Sequence, residues 1–110
     1  MTDDNTISDS SGNVFADLGL ENADELLAKS KLAQEIRSII KQRLWTQTKA
    51  AKVLKTDQPQ VSRLNTGKGV DGMSFELLFS WLTRLNQTVT VTVEPAPEGK
   101  ETQGSLVVAV

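Results

Sequence analysis

The chain has 110 residues, with no cysteine, no histidine and a formal net charge of −2. These absences remove disulfides, thiolate and imidazole nucleophiles, histidine general bases and nearly every zinc site, so we expect no enzyme, no metal site and no cofactor. No stretch approaches the ~20 apolar residues that a transmembrane helix needs, and the Asp-rich start is unlike the basic start of a signal peptide. A cytoplasmic protein without membrane association is therefore expected.

Charge is unevenly distributed along the chain. Residues 1–28 carry seven acidic side chains and no basic one, residues 29–68 carry ten basic and two acidic, and residues 69–110 carry two basic and five acidic. The central block thus has a charge of +8 between two acidic blocks. Such a block suits a phosphate-binding surface, although solvated lysines that only keep a helical domain soluble give the same count.

The first ordered element is predicted to be a long helix. Residues 1–13 are polar, aperiodic and rich in Ser and Asp, which predicts a disordered acidic tail, with order beginning near Val14. Asn22, followed by Glu25 three residues later, has the form of a capping box. A run of apolar residues at helical spacing then predicts a leading helix that ends at Arg43 or Leu44. The run consists of Leu26, Ala33, Ile36, Ile39, Ile40 and Leu44.

Two short helices that meet at a tight corner are predicted between Thr46 and Lys68. Thr46 is a suitable N-cap for the first, and the polar residues 55–57 end its apolar pattern. Asp57 is a suitable N-cap for the second, which should begin near Gln58, because Pro59 is tolerated in a first turn and Gln60 stands at the capping-box position. The inward-facing residues of the first helix are Ala50, Ala51, Val53 and Leu54.

The second of these helices has one apolar and one polar side. Val61 and Leu64 share the side that should be buried. The opposite side then carries Pro59, Ser62, Arg63 and Thr66, with Gln58 and Gln60 flanking them. A helix that exposes Gln, Ser and Arg within a basic block favours contact with the base edges of DNA.

A further helix is predicted after a glycine-containing loop at residues 67–72. Ser74 can cap it, and Leu77 and Trp81 add an apolar edge that closes the core or forms a dimer contact. Both Trp45 and Trp81 are assigned to the core. The main apolar stripe of this helix consists of Phe75, Leu78, Phe79, Leu82 and Leu85.

The segment 88–93 alternates threonine with Val89, Val91 and Val93, which predicts one β-strand with one apolar face. A lone strand cannot satisfy its backbone, so we predict that it pairs across a dimer through these valines. The alternative is pairing within the chain, with the apolar residues 106–110. Because Pro95, Pro97 and Gly99 interrupt the intervening stretch, residues 94–110 are interpreted as a flexible tail and residues 14–93 as the folded domain.

Several of these segments resemble a known family. Thr46-Gln47, Ala51, Val61-Ser62-Arg63-Leu64 and Thr66-Gly67-Lys68 resemble the XRE/Cro-type helix-turn-helix of phage repressors and bacterial regulators. Together with residues 14–20, the long leading helix, residues 57–64 and the strand at 89–93, they resemble HigA-like antitoxins of type II toxin-antitoxin modules over about eighty residues.

The resemblance implies a mainly α, lambda-repressor-like fold. We expect a compact bundle of about five helices, with a central helix-turn-helix and one carboxy-terminal β-strand that pairs across a dimer. One residue departs from the family pattern: Lys55 stands where the family usually has a glycine of positive φ, which predicts a strained or reshaped corner.

The implied function is recognition of a palindromic operator in double-stranded DNA by a symmetric homodimer. Arg63 is predicted to read guanine, Gln58 to read adenine, and Pro59 to offer an apolar contact to a thymine methyl, with Ser62 on the same face. Resemblance and geometry place four more residues near phosphates, where they would hold the register of the complex. These are Gln47, Gln60, Thr66 and Lys68.

Three functions compete. The first is an antitoxin that represses its own operon and neutralises a small basic RelE/HigB-like toxin; the acidic residues 3–25 suit such a partner, as they also suit a plain solvated tail. The second is a free-standing phage-type XRE repressor without a toxin. The third is a protein-interaction module that no longer contacts DNA, which the basic block and polar helix face argue against.

Overall fold

The computed structural model describes residue 19, residues 22–96 and residues 105–109. They divide into two units, a larger one of residues 29–93 and a smaller one formed by the other described residues. The tail expected at residues 1–13 and most of the family-like segment at residues 14–20 lie outside the described residues. In the part of the chain that is described, no helix is long and apolar enough to span a membrane.

The elements are helical. In chain order they are α1 (Ala23–Gln42), α2 (Gln47–Leu54), α3 (Gln58–Thr66), a 3₁₀ turn (Val70–Gly72) and α4 (Phe75–Arg84). Across the described residues, the bundle of about five helices implied by the resemblance is therefore four α-helices and one 3₁₀ turn. Helix α2 packs against both α3 and α4.

Helix α1 is the predicted leading helix. It begins directly after Asn22, whose carbonyl accepts a hydrogen bond from the Leu26 amide at 3.0 Å. It ends two residues before Leu44, which the apolar spacing had placed on the buried stripe. Leu44 instead lies beyond the helix in a left-handed conformation, with φ of 58°, and is 89% exposed. The periodic pattern could not show that the helix had already ended there.

The core of the larger unit is apolar and draws on all four helices. Trp81 is its largest member, with 1% of its surface exposed. Two arginines of α1 add polar links, since Arg37 donates to the Leu64 carbonyl at 2.9 Å and Arg43 donates to the Leu85 carbonyl at 2.8 Å. The other buried apolar residues are Leu32, Ala33, Ile36, Ile39, Ile40, Ala50, Ala51, Leu54, Val61, Leu64, Val70, Met73, Leu78, Leu82 and Leu85.

Trp45 and Lys29 lie at the boundary of the core. Trp45 is only half-buried, so its assignment to the core was wrong. It directly precedes the N-cap of α2, and the cationic groups of Arg43 and Lys49 lie 5.2 and 5.8 Å from its ring centroid. Lys29, in contrast, is buried, donates to the Asp71 carbonyl at 3.1 Å and lies 5.4 Å from the Phe75 ring centroid.

The strand expected at residues 88–93 is not formed within the single chain. Residues 87–96 and 105–109 have no regular secondary structure, and the described residues contain no strand ladder, either between these segments or elsewhere. Val91 and Val93 are 70% and 92% exposed. A strand exists only where a neighbouring strand accepts its hydrogen bonds, and the described residues of one copy supply no such neighbour.

The corner between α2 and α3 contains the backbone conformation anticipated for Lys55. This residue has φ of 58° and ψ of 48°, which lies in the left-handed region that is unfavourable for residues other than glycine. We therefore expect Lys55→Gly to raise the free energy of unfolding by about 1 kcal/mol, measured by urea denaturation.

The matched control is Lys52→Gly in the last turn of α2. Lys52 is also an exposed lysine but has a helical backbone, so glycine should lower the free energy of unfolding there by about 1 kcal/mol. Equal destabilisation by both changes would show that the Lys55 backbone is not strained.

Candidate nucleic-acid interface

Helices α2 and α3 form the predicted helix-turn-helix, and local hydrogen bonds fix where each begins. Thr46 Oγ1 accepts from the Lys49 amide at 3.1 Å, and Asp57 Oδ1 accepts from the Gln60 amide at 2.9 Å. Both predicted N-caps are confirmed. At the corner, the Thr56 amide donates to the Ala51 carbonyl at 2.9 Å and closes α2.

Helix α3 is two-sided, as its sequence predicts. Val61 and Leu64 are fully buried beneath it. The opposite side is open to solvent at Gln58, Pro59, Arg63 and Thr66, while Gln60 and Ser62 are half-buried.

The structure gathers several of the predicted DNA-contacting residues around one shallow pocket of about 410 Å³ beside α3. The carboxy-terminal half of α3 and the following loop line it, and Lys68 at its margin is exposed. Thr66 Oγ1 joins the two parts, because it donates to the Arg63 carbonyl at 3.2 Å and accepts from the Lys68 amide at 3.3 Å. The lining residues are Ser62, Arg63, Thr66, Lys68 and Gly69.

The first turns of α2 and α3 are linked side chain to side chain. Gln58 Nε2 donates a hydrogen bond to Gln47 Oε1. Gln47 was placed near phosphates and Gln58 near bases, and sequence spacing gave no sign that the two amides pair. The bond ties the start of one helix of the motif to the start of the other.

Gln60 does not complete the expected capping box with its side chain. Its backbone amide is held by Asp57, but its Oε1 accepts from Arg63 Nη1 at 2.7 Å. Arg63, which has no acidic neighbour in the sequence, therefore has an uncharged partner one turn earlier on α3. Gly69 also lies near Arg63, since a Cβ on Gly69 would be 3.4 Å from Arg63 Cδ.

The interface is electropositive. Between residues 46 and 68 there are five basic side chains and one acidic side chain, that of the N-cap Asp57. The lysines of α2 and its corner are exposed, as is Arg63. A surface of this kind attracts a polyanion and can neutralise phosphates. The described residues hold no group of three or more side chains suited to a metal ion.

A second groove, which the sequence did not predict, lies beside Trp45 and has a volume of about 600 Å³. In the sequence, this groove was indicated only by the four-residue spacing of Arg37 and Lys41, which puts both on one face of α1. Asn65 brings the end of α3 into the same groove. Its remaining lining residues are Gln34, Ser38 and Ile40.

The N-cap of α3 offers a direct test of how this helix is held. Asp57→Ala removes the acceptor for the Gln60 amide and should lower the free energy of unfolding by about 1 kcal/mol. Asp57→Asn keeps an acceptor and should stay within about 0.5 kcal/mol of the natural protein. Urea denaturation followed by circular dichroism measures both, and an equal loss in the two variants would contradict the capping role.

Comparisons with known proteins agree with this architecture. A family model described as a helix-turn-helix domain matches residues 14–94. A solved structure described as "Putative XRE Family Transcriptional Regulator" matches with a TM-score of 0.71 and 31% sequence identity, over 81% of this chain and 99% of that one. No curated protein matches the chain. The family match over most of the chain and the close agreement with a structure of similar length place the protein in the XRE family of helix-turn-helix regulators.

Proposed function

We propose that the protein is a sequence-specific DNA-binding repressor that acts as the antitoxin of a toxin-antitoxin pair. One observation carries the DNA-binding part: α3 exposes a polar and cationic side over fully buried Val61 and Leu64, inside the basic block. A helix held in this way can lie in the major groove with its outer side chains at base edges.

Within the groove, Arg63 is the reader of guanine, because a guanidinium fork can donate to O6 and N7 together. Gln58 is the reader of adenine, and its hydrogen bond to Gln47 supports its orientation. Pro59 supplies an apolar contact and Ser62 a hydroxyl. Three residues at the edge of the interface contact phosphates: Gln47, Thr66 and Lys68.

The proposed active form is a homodimer in which residues 88–93 of two copies pair. The exposed Val91 and Val93 support the pairing, as does the lack of a partner strand for this segment among the described residues. Two-fold symmetry then sets two α3 helices about one turn of DNA apart, roughly 34 Å, over a palindromic operator.

Val91→Asp tests this pairing. A carboxylate on the apolar face of the paired segment should leave the protein monomeric at concentrations where the natural protein is dimeric, because burial of the charge is costly. Light scattering coupled to size-exclusion chromatography measures the mass. Thr90→Asp puts the same charge on the opposite face and should remain dimeric, so loss of the dimer in both variants, or in neither, would contradict the pairing through Val91.

The antitoxin role rests on the resemblance to HigA-like proteins and on the seven acidic side chains of residues 1–28. A RelE/HigB-like toxin that grips RNA is basic, and an acidic segment would steer association with it. The alternative is a free-standing phage-type XRE repressor without a toxin partner. It uses the same DNA surface, and it is favoured by the match to a protein described only as a transcriptional regulator.

Co-expression separates the two functions. The protein is produced untagged with a tagged product of its adjoining gene, and the purified material is tested for mass and for retention of the shared promoter DNA. A stable complex with a small basic partner supports the antitoxin. If the protein binds its promoter but nothing co-purifies, the free-standing repressor is the better account, and failure to bind the promoter in either state contradicts both.

A further inference from the structure

The guanidinium of Arg63 donates a hydrogen bond to a neighbouring side chain on the same helix. Gln60 Oε1 accepts from Arg63 Nη1 at 2.7 Å, and Gln60 is itself half-buried, with its backbone amide fixed by Asp57. Gly69 lies near the aliphatic part of Arg63. Gly69 has φ of +78°, so any larger residue there would be strained and would bring a Cβ to 3.4 Å from Arg63 Cδ.

We propose that Gln60 is a positioning residue for Arg63, which orients the guanidinium for guanine before DNA arrives and does not itself contact DNA. The inference rests on the proposed function, since it concerns how that same surface reads sequence. It replaces the phosphate contact that resemblance had suggested for Gln60.

The hydrogen bond to Gln60 leaves donors of the Arg63 guanidinium available for a base. A guanidinium carries five N–H donors, and Gln60 Oε1 engages one of them. Enough donors remain for a paired contact to O6 and N7 of guanine. An arginine without this support would have to lose the freedom of a long side chain when it binds, and that loss opposes affinity.

The chemistry of the Gln60 side chain also favours the positioning role over a contact with a DNA phosphate. Its oxygen is already directed at Arg63 along the same helix, one turn away. A phosphate would be met first by the exposed cations of this surface, which provide charge as well as donors. The uncharged acceptor instead sets the direction of the Arg63 side chain and leaves the local positive charge uncompensated. A glutamate at this position would offset that charge.

A double-mutant cycle tests the inference. Duplexes preferred by the natural protein are selected from a random library, and dissociation constants are measured for one selected duplex and for its shuffled counterpart at one salt concentration. The variants are Gln60→Met, which keeps the length of the side chain but removes the acceptor, Arg63→Ala, and the double variant. Gln42→Met makes the same chemical change at an exposed position on α1 and serves as the control.

Gln60→Met is expected to weaken binding of the selected duplex about 2- to 10-fold and to change binding of the shuffled duplex much less. In the Arg63→Ala background it should cause no further loss. Replacement of the read guanine by 7-deazaguanine, which lacks N7, should likewise remove most of the effect of Gln60→Met. The Gln42→Met control should bind both duplexes like the natural protein.

Three results would overturn the inference. Equal fold-losses for Gln60→Met with and without Arg63 would show that Gln60 contacts DNA independently. Equal losses on selected and shuffled duplexes would indicate a phosphate contact. Unchanged binding would show that Arg63 needs no positioning. In each of these the natural protein still prefers its selected duplex, whereas failure to show any preference would overturn the proposed function as well.

Discussion

Replacement of Arg63 by alanine is expected to weaken binding to the operator about 5- to 150-fold, because a paired contact to guanine contributes about 1 to 3 kcal/mol. Arg63 is exposed on α3, so the variant should fold normally. The affinity for random duplex should fall only slightly, because the variant loses the electrostatic contribution of one cation. Fluorescence anisotropy with operator and shuffled DNA at constant salt measures both losses.

Lys68→Ala is the contrasting variant. Lys68 is exposed in the loop after α3 and is proposed to contact a phosphate. Its removal should weaken operator and shuffled DNA by similar factors and reduce the slope of log K against log salt by about 0.9. If Arg63→Ala also gave equal losses on both duplexes, its assignment as the guanine reader would be wrong.

Replacement of Trp81 by alanine should produce the largest loss of stability of any substitution considered. Trp81 is 1% exposed and is the largest fully buried side chain of the larger unit, and truncation of a buried tryptophan typically costs about 3 to 5 kcal/mol. A domain of this size has a free energy of unfolding of roughly 5 to 10 kcal/mol, so the variant should be close to its unfolding threshold. Thermal and urea denaturation followed by far-ultraviolet circular dichroism measure the loss.

Trp45→Ala is the matched control, since it makes the same truncation at a half-buried site. It removes two cation contacts and part of an apolar surface, for which we expect a loss of about 1 to 2 kcal/mol. Similar losses of free energy of unfolding in the two variants would mean that Trp81 contributes no more to stability than the half-buried Trp45.

The sequence predicted best those features that depend on neighbours along the chain. The N-caps Thr46, Asp57 and Ser74 were identified because a cap requires one residue type at one position, and the Ser74 hydroxyl accepts from the Leu77 amide at 3.0 Å as expected. The two sides of α3 followed from helical spacing. The left-handed backbone of Lys55 was indicated only because the family carries glycine there.

Features that depend on distant parts of the chain were missed. Trp45 and Leu44 are apolar, and no periodicity reveals that the helix before them has ended. The segment 88–93 has the alternation of a strand, yet alternation cannot supply a neighbouring strand. The bond between Gln60 and Arg63 competes with a capping box that uses the same side chain, and only the three-dimensional arrangement shows which partner it takes.

The basic residues of the central block fall into two groups with different roles. Arg37 and Arg43 give donors to backbone carbonyls inside the protein, while the lysines of α2 remain exposed to solvent. An alanine scan of the ten basic residues should therefore separate into variants that unfold more easily and variants that release DNA more easily. The charge of +8 that the sequence gives for residues 29–68 therefore overstates the number of cations with which this protein can bind a nucleic acid.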